Sequence, residues 1–148
     1  MAKQGHFYVT VFSNASRDIY EQNTHGDITV KLAVHVHLVS TSKWEVELCE
    51  NLCSSSPPIE ESLHLIYPNL ISPQFLGDST VRRMRTFVFP SSSVCQLYFS
   101  NVYYVPVEQR RFQDIRIEFL MTEGLHIPFE DSTRHTIIVF HFRKIYKR

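Results

Sequence analysis

The chain is poor in several features that enzymes and nucleic-acid-binding proteins commonly use. Only 4 of its 148 residues are glycine. They are scattered, so the sequence encodes no glycine-rich loop that could cradle a phosphate. The 15 basic and 15 acidic residues leave no net charge, which argues against binding of nucleic acid through the overall field of the chain. No segment approaches the ~18 consecutive apolar residues that a membrane-spanning helix needs.

Cysteine is also scarce. Cys49, Cys53 and Cys95 are an odd number of widely spread residues, and no apolar signal segment precedes them. We therefore expect synthesis in a reducing, intracellular compartment and free, partly buried thiols. The Cys49-x-x-x-Cys53 spacing has no second cysteine pair to complete a zinc site, and no adjacent pattern indicates a thiol protease.

Aromatic and β-branched residues, by contrast, are plentiful. The chain contains 11 Phe and 7 Tyr and is 43% hydrophobic, enough for one packed domain over residues 1–148. Short alternating runs are separated by turn signals every 8–12 residues. This pattern predicts an all-β sandwich or barrel of eight to ten short strands. Only Arg17–Gln22 and Glu108–Asp114 are candidates for short helical turns.

The alternation also predicts which side chains face inward. In the first strand, His6–Phe12, both faces carry apolar residues and we expect both to be covered. Val34, Val36 and Leu38 are expected to continue inward from the strand before them, with a register shift near Ala33. The predicted core comprises Phe7, Val9, Val11, Val30, Leu32, Trp44, Val46, Leu48, Phe87, Phe89, Ile115, Ile117, Phe119, Ile138, Phe140 and Phe142.

His35 and His37 are the strongest candidates for a metal site. Two imidazoles one residue apart on a strand share a face and can bind one metal ion, as in cupins. Here Thr41 and Ser42 stand where cupins place a carboxylate, and His141 would complete a three-histidine site only if the topology placed it nearby. The alternative is two polar residues on the outer face of a strand, which is the interpretation we adopt. No metal and no cofactor are therefore expected.

Although the chain has no net charge, it contains three local basic patches. They are Arg82–Arg85, Arg110-Arg111 and Arg143–Arg148. They are candidates for weak contact with a packaged genome through phosphates. Pairing with acidic neighbours is the interpretation we favour. Glu45 and Glu47 lie on one strand face and read as solvated or salt-bridged carboxylates rather than as catalytic acids.

The order of segments resembles the minor capsid (penton) protein of Polinton/Maverick elements and the related adintoviruses. The resemblance spans nearly the whole chain. It is carried by Phe12-Ser13-Asn14-Ala15-Ser16, Asn23-Thr24, Trp44-Glu45-Val46-x-Leu48-x-Glu50, Tyr104-x-Pro106-Val107, Ile115-x-Ile117, Gly124-x-x-Ile127-Pro128-Phe129 and His141-Phe142-Arg143. Phe12-Ser13 stands where a Leu-Pro pair is common, and Val34–His37 replaces a segment that usually contains proline.

The resemblance implies a fold and an assembly. The fold would be a single jelly-roll β-sandwich of about eight strands in two antiparallel sheets. The assembly would be a homopentamer at the vertices of an icosahedral virus-like particle, with a double-jelly-roll major capsid protein as partner, no membrane contact and no catalytic residues. Such a protein would be made in the host cytoplasm, assembled in the nucleus and located in the virion. Alternatives are a cupin-like metalloenzyme built on His35 and His37, or a β-sandwich that binds glycans or receptors.

Overall fold

A computed structural model describes residues 5–13, 16, 18–24, 26–53, 63–88, 95–121 and 136–146. Within these residues the regular structure is entirely β. The strands are β1 (His6–Phe12), β2 (Asp27–His37), β3 (Lys43–Cys53), β4 (Leu63–Pro68), β5 (Gln74–Leu76), β6 (Ser79–Val81), β7 (Arg85–Val88), β8 (Cys95–Tyr98), β9 (Val105–Pro106), β10 (Arg111–Met121) and β11 (Ile137–Ile145).

Eight of the strands form two four-stranded antiparallel sheets. The first sheet has the order β1-β11-β3-β8, with the short β9 also paired to β3, and the second has the order β2-β10-β4-β7. The chain crosses between these two sheets from β1 to β2, β2 to β3, β3 to β4, β7 to β8, β9 to β10, and β10 to β11. This interleaving of two Greek keys is the jelly roll. The expectation of a single jelly-roll sandwich is therefore confirmed.

The core lies between the two sheets and matches the alternation in the sequence. On β3 the inward side chains Trp44, Val46 and Leu48 are at most 2% exposed, whereas the glutamates between them face outward. Phe7, Val9 and Leu32 are only partly buried and pack against the core. Phe89 and the side chain of Phe87 lie outside the described part of the chain. The other predicted core residues that are buried are Val11, Val30, Ile115, Ile117, Phe119, Ile138, Phe140 and Phe142.

The start of β2 has its outer edge covered by the segment that precedes it. The Asn23 side chain accepts a hydrogen bond from the Thr29 amide (2.9 Å) and donates one to the Thr29 carbonyl (2.7 Å). The Ser16 hydroxyl accepts from the Lys31 amide (3.0 Å). These bonds satisfy backbone groups that an edge strand would otherwise present to another chain. The segment contains turns rather than a helix.

Two stretches depart from the sequence-based expectations. Residues Glu108–Asp114 are a candidate for a short helical turn in the sequence, but β10 begins at Arg111. Phe112 and Ile115 are both buried because the ladder between β10 and β2 shifts register between Phe112 and Asp114, which gives the two residues a helix-like spacing of three. The same shift affects β2 around Ala33, as expected. Consequently Val34 is 50% exposed rather than inward.

The expectation that both faces of β1 are covered is wrong within the single chain. Phe7, Val9 and Val11 point toward the core, but Tyr8 is 61% exposed and Phe12 is 40% exposed on the opposite face. The Tyr104 ring packs on His141 at the outer side of this sheet, but it leaves Tyr8 and Phe12 exposed. Alternation of apolar side chains along a strand identifies a face that is suited to burial. It does not show whether residues of the same chain or of another molecule bury that face.

Among the residues that the structure describes, no helix has the length and apolar character that crossing a membrane requires.

Candidate functional site: the outer face of the first sheet

The structure does not bring the candidate metal ligands together. His35 and His37 are exposed at the end of β2, with ring centroids 6.2 Å apart. His141 lies on β11, in the other sheet, where it sits directly opposite Glu47 of β3. In the described ranges no three His, Cys, Asp or Glu side chains have an arrangement that could hold a metal ion. Two exposed histidines without a third ligand make a poor metal site.

We expect untagged protein to hold no stoichiometric metal. Elemental analysis of the purified chain should give far less than one iron, manganese or zinc per chain, and His35→Ala should leave the content unchanged. One tightly held ion per chain that is lost in His35→Ala, but retained when exposed Thr80 is replaced by alanine, would contradict this expectation.

A cluster of polar aromatic residues lies on the outer face of the first sheet around His141. The Tyr104 hydroxyl and His141 Nδ1 are 2.7 Å apart, and Tyr8 stacks on the imidazole with ring centroids 4.4 Å apart. The guanidinium of Arg143 lies 3.5 Å from the centroid of the Tyr104 ring and also binds Glu45. Burial lowers the pKa of His141, which favours the neutral imidazole near pH 7. The cluster therefore ties β1, β3, β11 and the segment before β9 together.

Cys49 adjoins this cluster but is unsuited to act as a nucleophile. Its thiol donates to Glu47 Oε1 at 3.4 Å, and burial, aided by this carboxylate, raises its pKa to about 12. A reactive cysteine needs the opposite shift, because the thiolate is the attacking form. The expectation of a free, partly buried thiol is confirmed for Cys49. Cys53 and Cys95 are opposite each other in the backbone ladder between β3 and β8. Their side chains lie outside the described part of the chain.

The raised pKa predicts a slow reaction of Cys49 with iodoacetamide. In a variant carrying Cys53→Ser and Cys95→Ser, alkylation at pH 7.5 should be roughly 100- to 1,000-fold slower in the folded protein than in urea, since each pKa unit lowers the thiolate fraction about tenfold. Mass spectrometry of timed samples measures the rate. Equal rates in folded and unfolded protein would show that Cys49 is neither buried nor held in its thiol form.

The rest of the outer face of the first sheet is largely apolar and aromatic. Between β1 and β11, the register places Phe12 beside Ile137 and Thr10 beside Val139. The row continues from Val139 to Glu50 on β3 and then to Tyr98 on β8. Tyr98 is 67% exposed and Ile137 and Val139 are half-buried. We call this surface the aromatic face; it comprises Tyr8, Phe12, Tyr98, Ile137 and Val139. Contiguous apolar surface of this kind usually marks a contact with another molecule.

The outer face of the second sheet has the opposite character at β2 and β10. Arg116 lies between Asp27 and Glu118 and forms ion pairs of 3.1 Å and 2.6 Å with them. The Tyr20 hydroxyl donates to Asp114, which raises the pKa of the tyrosine. Such a network of exposed charges is well solvated and favours contact with water. The two faces of the sandwich therefore differ, and the aromatic face is the better candidate for a binding surface.

Several arginines of the basic patches are already engaged within the chain. Arg82 pairs with Glu108 at 2.7 Å, and Arg110 donates to the carbonyls of Val39 and Ser42. Arg85 donates to the Asn101 carbonyl at 2.7 Å and lies over the Phe99 ring. Pairing with an acidic neighbour is therefore observed for Arg82, and for Arg143 with Glu45, whereas Arg85 and Arg110 bind backbone carbonyls. Arg83 makes no ion pair with a described residue.

The whole chain was compared with protein-family models, curated proteins and solved structures. No family model and no curated protein matches the sequence. Among solved structures, the chain is similar to the crystal structure of the penton protein of mavirus, with a TM-score of 0.67, 95% of this chain and 100% of that chain covered, and 7% sequence identity. At this identity the likeness establishes a shared jelly-roll fold over 95% of this chain and the whole of that chain.

Proposed function

We propose that this chain is a non-enzymatic minor capsid protein that forms homopentamers at the vertices of an icosahedral particle of the Polinton/adintovirus type. The observation that carries the proposal is the likeness to a penton protein over 95% of this chain and 100% of that chain. The motifs that resemble Polinton penton proteins point in the same direction. The site of action would be the virion, after synthesis in the host cytoplasm and assembly in the nucleus.

The uncovered surface of the sandwich supports an assembly role. Tyr8, Phe12 and Tyr98 are between 40% and 67% exposed on the aromatic face, although all three belong to strands whose other face packs on the core. A soluble monomer rarely keeps such a surface uncovered, whereas a capsid subunit covers it with a neighbour. The surrounding partner would be a double-jelly-roll major capsid protein.

Contact with packaged DNA would be weak and local. Arg83 is the member of the Arg82–Arg85 patch that makes no ion pair or hydrogen bond with a described residue, so it is the one best able to reach a phosphate. One free guanidinium contributes little affinity and a shallow dependence on salt. The proposal therefore does not depend on DNA binding.

Co-expression with the element's major capsid protein tests the proposed function. Electron microscopy should show closed icosahedral particles with this chain at the five-fold vertices, and omission of this chain should leave the vertices open. Closed particles whose vertices lack this chain, or no association between the two proteins, would overturn the proposal.

A further inference from the structure

We propose that the ring closes head to tail: the side of the sandwich formed by β1 and β2 in one copy docks on the side formed by β7 and β8 in the next copy. This inference rests on the proposed function, because it names the contact surface within the proposed pentamer. The partner is a second copy of this chain, and the residues that set the polarity are Glu21 on one side and Arg83 on the other.

The two sides lie at opposite edges of the sandwich. β1 and β2 are edge strands of their sheets, and a groove between them is lined by Phe7, Tyr8 and residues 32–37. β8 and β7 are the opposite edge strands. Arg85 of β7 reaches the Phe99 ring just after β8, with 4.2 Å between the guanidinium carbon and the ring centroid, so these two edges also lie together. Contacts between two different surfaces of one subunit are heterologous, and a heterologous contact can close into a ring.

The segment along the outer edge of β2 carries acidic residues beside an exposed apolar residue. A groove of about 540 Å³ beside β2 is lined by Ile19, Glu21, Asp27 and Arg116, among others. Asp27 and Arg116 neutralise each other, whereas exposed Glu21 makes no ion pair with a described residue. Asp18, which is also exposed and has no ion-pair partner among the described residues, precedes Ile19, and Ile19 is 58% exposed.

The β7–β8 side has the complementary character. A groove of about 340 Å³ is lined by Arg83, Arg85, Asn101, Val102 and Tyr103. Val102 is 64% exposed and Tyr103 is 45% exposed. Arg83 makes no ion pair within the described residues. Each side therefore offers exposed apolar side chains next to a charge that has no ion-pair partner in the described part of the chain, with opposite signs on the two sides. Apolar contact surrounded by complementary charge is the usual composition of a specific interface.

Charge reversal tests this interface in a way that depends on ring symmetry. Glu21→Lys or Arg83→Glu alone should place like charges in every junction and weaken the oligomer at least about tenfold. The double variant Glu21→Lys/Arg83→Glu reverses both charges, so each junction again joins opposite charges and the wild-type oligomer should return. Thermal melting of each variant as a monomer checks that folding is unchanged, and Glu21→Gln and Arg83→Gln serve as neutral controls.

Mixing the two single variants gives a second, independent result. Glu21→Lys carries positive charge on both sides, and Arg83→Glu carries negative charge on both sides. A subunit of one variant is therefore attracted only to a subunit of the other variant, and the two variants must alternate around a ring. A ring with an odd number of members cannot alternate completely. Native mass spectrometry of the mixture should therefore show even-numbered rings or open chains and a depleted five-membered ring.

The outcomes separate this inference from the proposed function. A wild-type protein that stays monomeric would contradict both. A wild-type ring that persists in each single variant, or a ring that the double variant fails to restore, would overturn the head-to-tail assignment and leave the capsid proposal standing.

Discussion

Replacing Trp44 with alanine is expected to lower the free energy of unfolding by about 3–5 kcal/mol. Trp44 is 2% exposed and packs against Phe7, with ring centroids 5.8 Å apart. The loss combines the transfer free energy of the indole with the cost of the cavity that it leaves. Urea denaturation followed by circular dichroism measures the change.

Trp44→Phe is the matched control for that experiment. The indole Nε1 is buried without a hydrogen-bond acceptor in the described structure, so phenylalanine removes an unsatisfied donor while keeping most of the aromatic volume. We expect this variant to lose less than about 1.5 kcal/mol. An alanine variant as stable as wild type would show that the sheets do not pack as described.

Replacing Tyr8 with glutamate is expected to dissociate the oligomer and leave the monomer folded. Tyr8 is 61% exposed, so the fold does not depend on its burial, yet it belongs to the aromatic face and also lines the groove between β1 and β2. Tyrosines in the centre of an interface often contribute ~2 kcal/mol or more, which corresponds to roughly 30-fold in the dissociation constant. An unpaired carboxylate buried at that position adds a desolvation cost.

Sedimentation velocity over a concentration series measures the effect, and thermal melting checks the fold. Gln109→Glu is the control, because it adds the same charge at an exposed position in the segment before β10, away from the aromatic face. Unchanged oligomerisation of Tyr8→Glu would remove the aromatic face from the contact surface. Dissociation by both variants would indicate a general effect of charge.

The sequence predicted the parts of the fold that depend on local alternation. Trp44, Val46 and Leu48 follow a period of two on β3, and each is buried as expected. The period of two did not predict the buried side chains where the ladder shifts register. Phe112 and Ile115 share one face because of the irregularity between Phe112 and Asp114, and no local sequence pattern indicates that irregularity.

The candidate surface was harder to predict than the core. Tyr104 and His141 are 37 positions apart, and their 2.7 Å contact exists only because β9 and β11 both pair with β3. His35 and His37, which were the strongest candidates for a metal site in the sequence, lie in the other sheet. The sequence pattern also predicted that β1 is apolar on both faces, whereas only the three-dimensional structure shows that Tyr8 and Phe12 on one of these faces are exposed.

Whether this chain forms a pentamer can be read from native mass spectrometry of the purified wild-type protein at high micromolar concentration and physiological salt. We expect a dominant species of five times the 17.4 kDa mass of one chain. A strictly monomeric mass under the same conditions would contradict it.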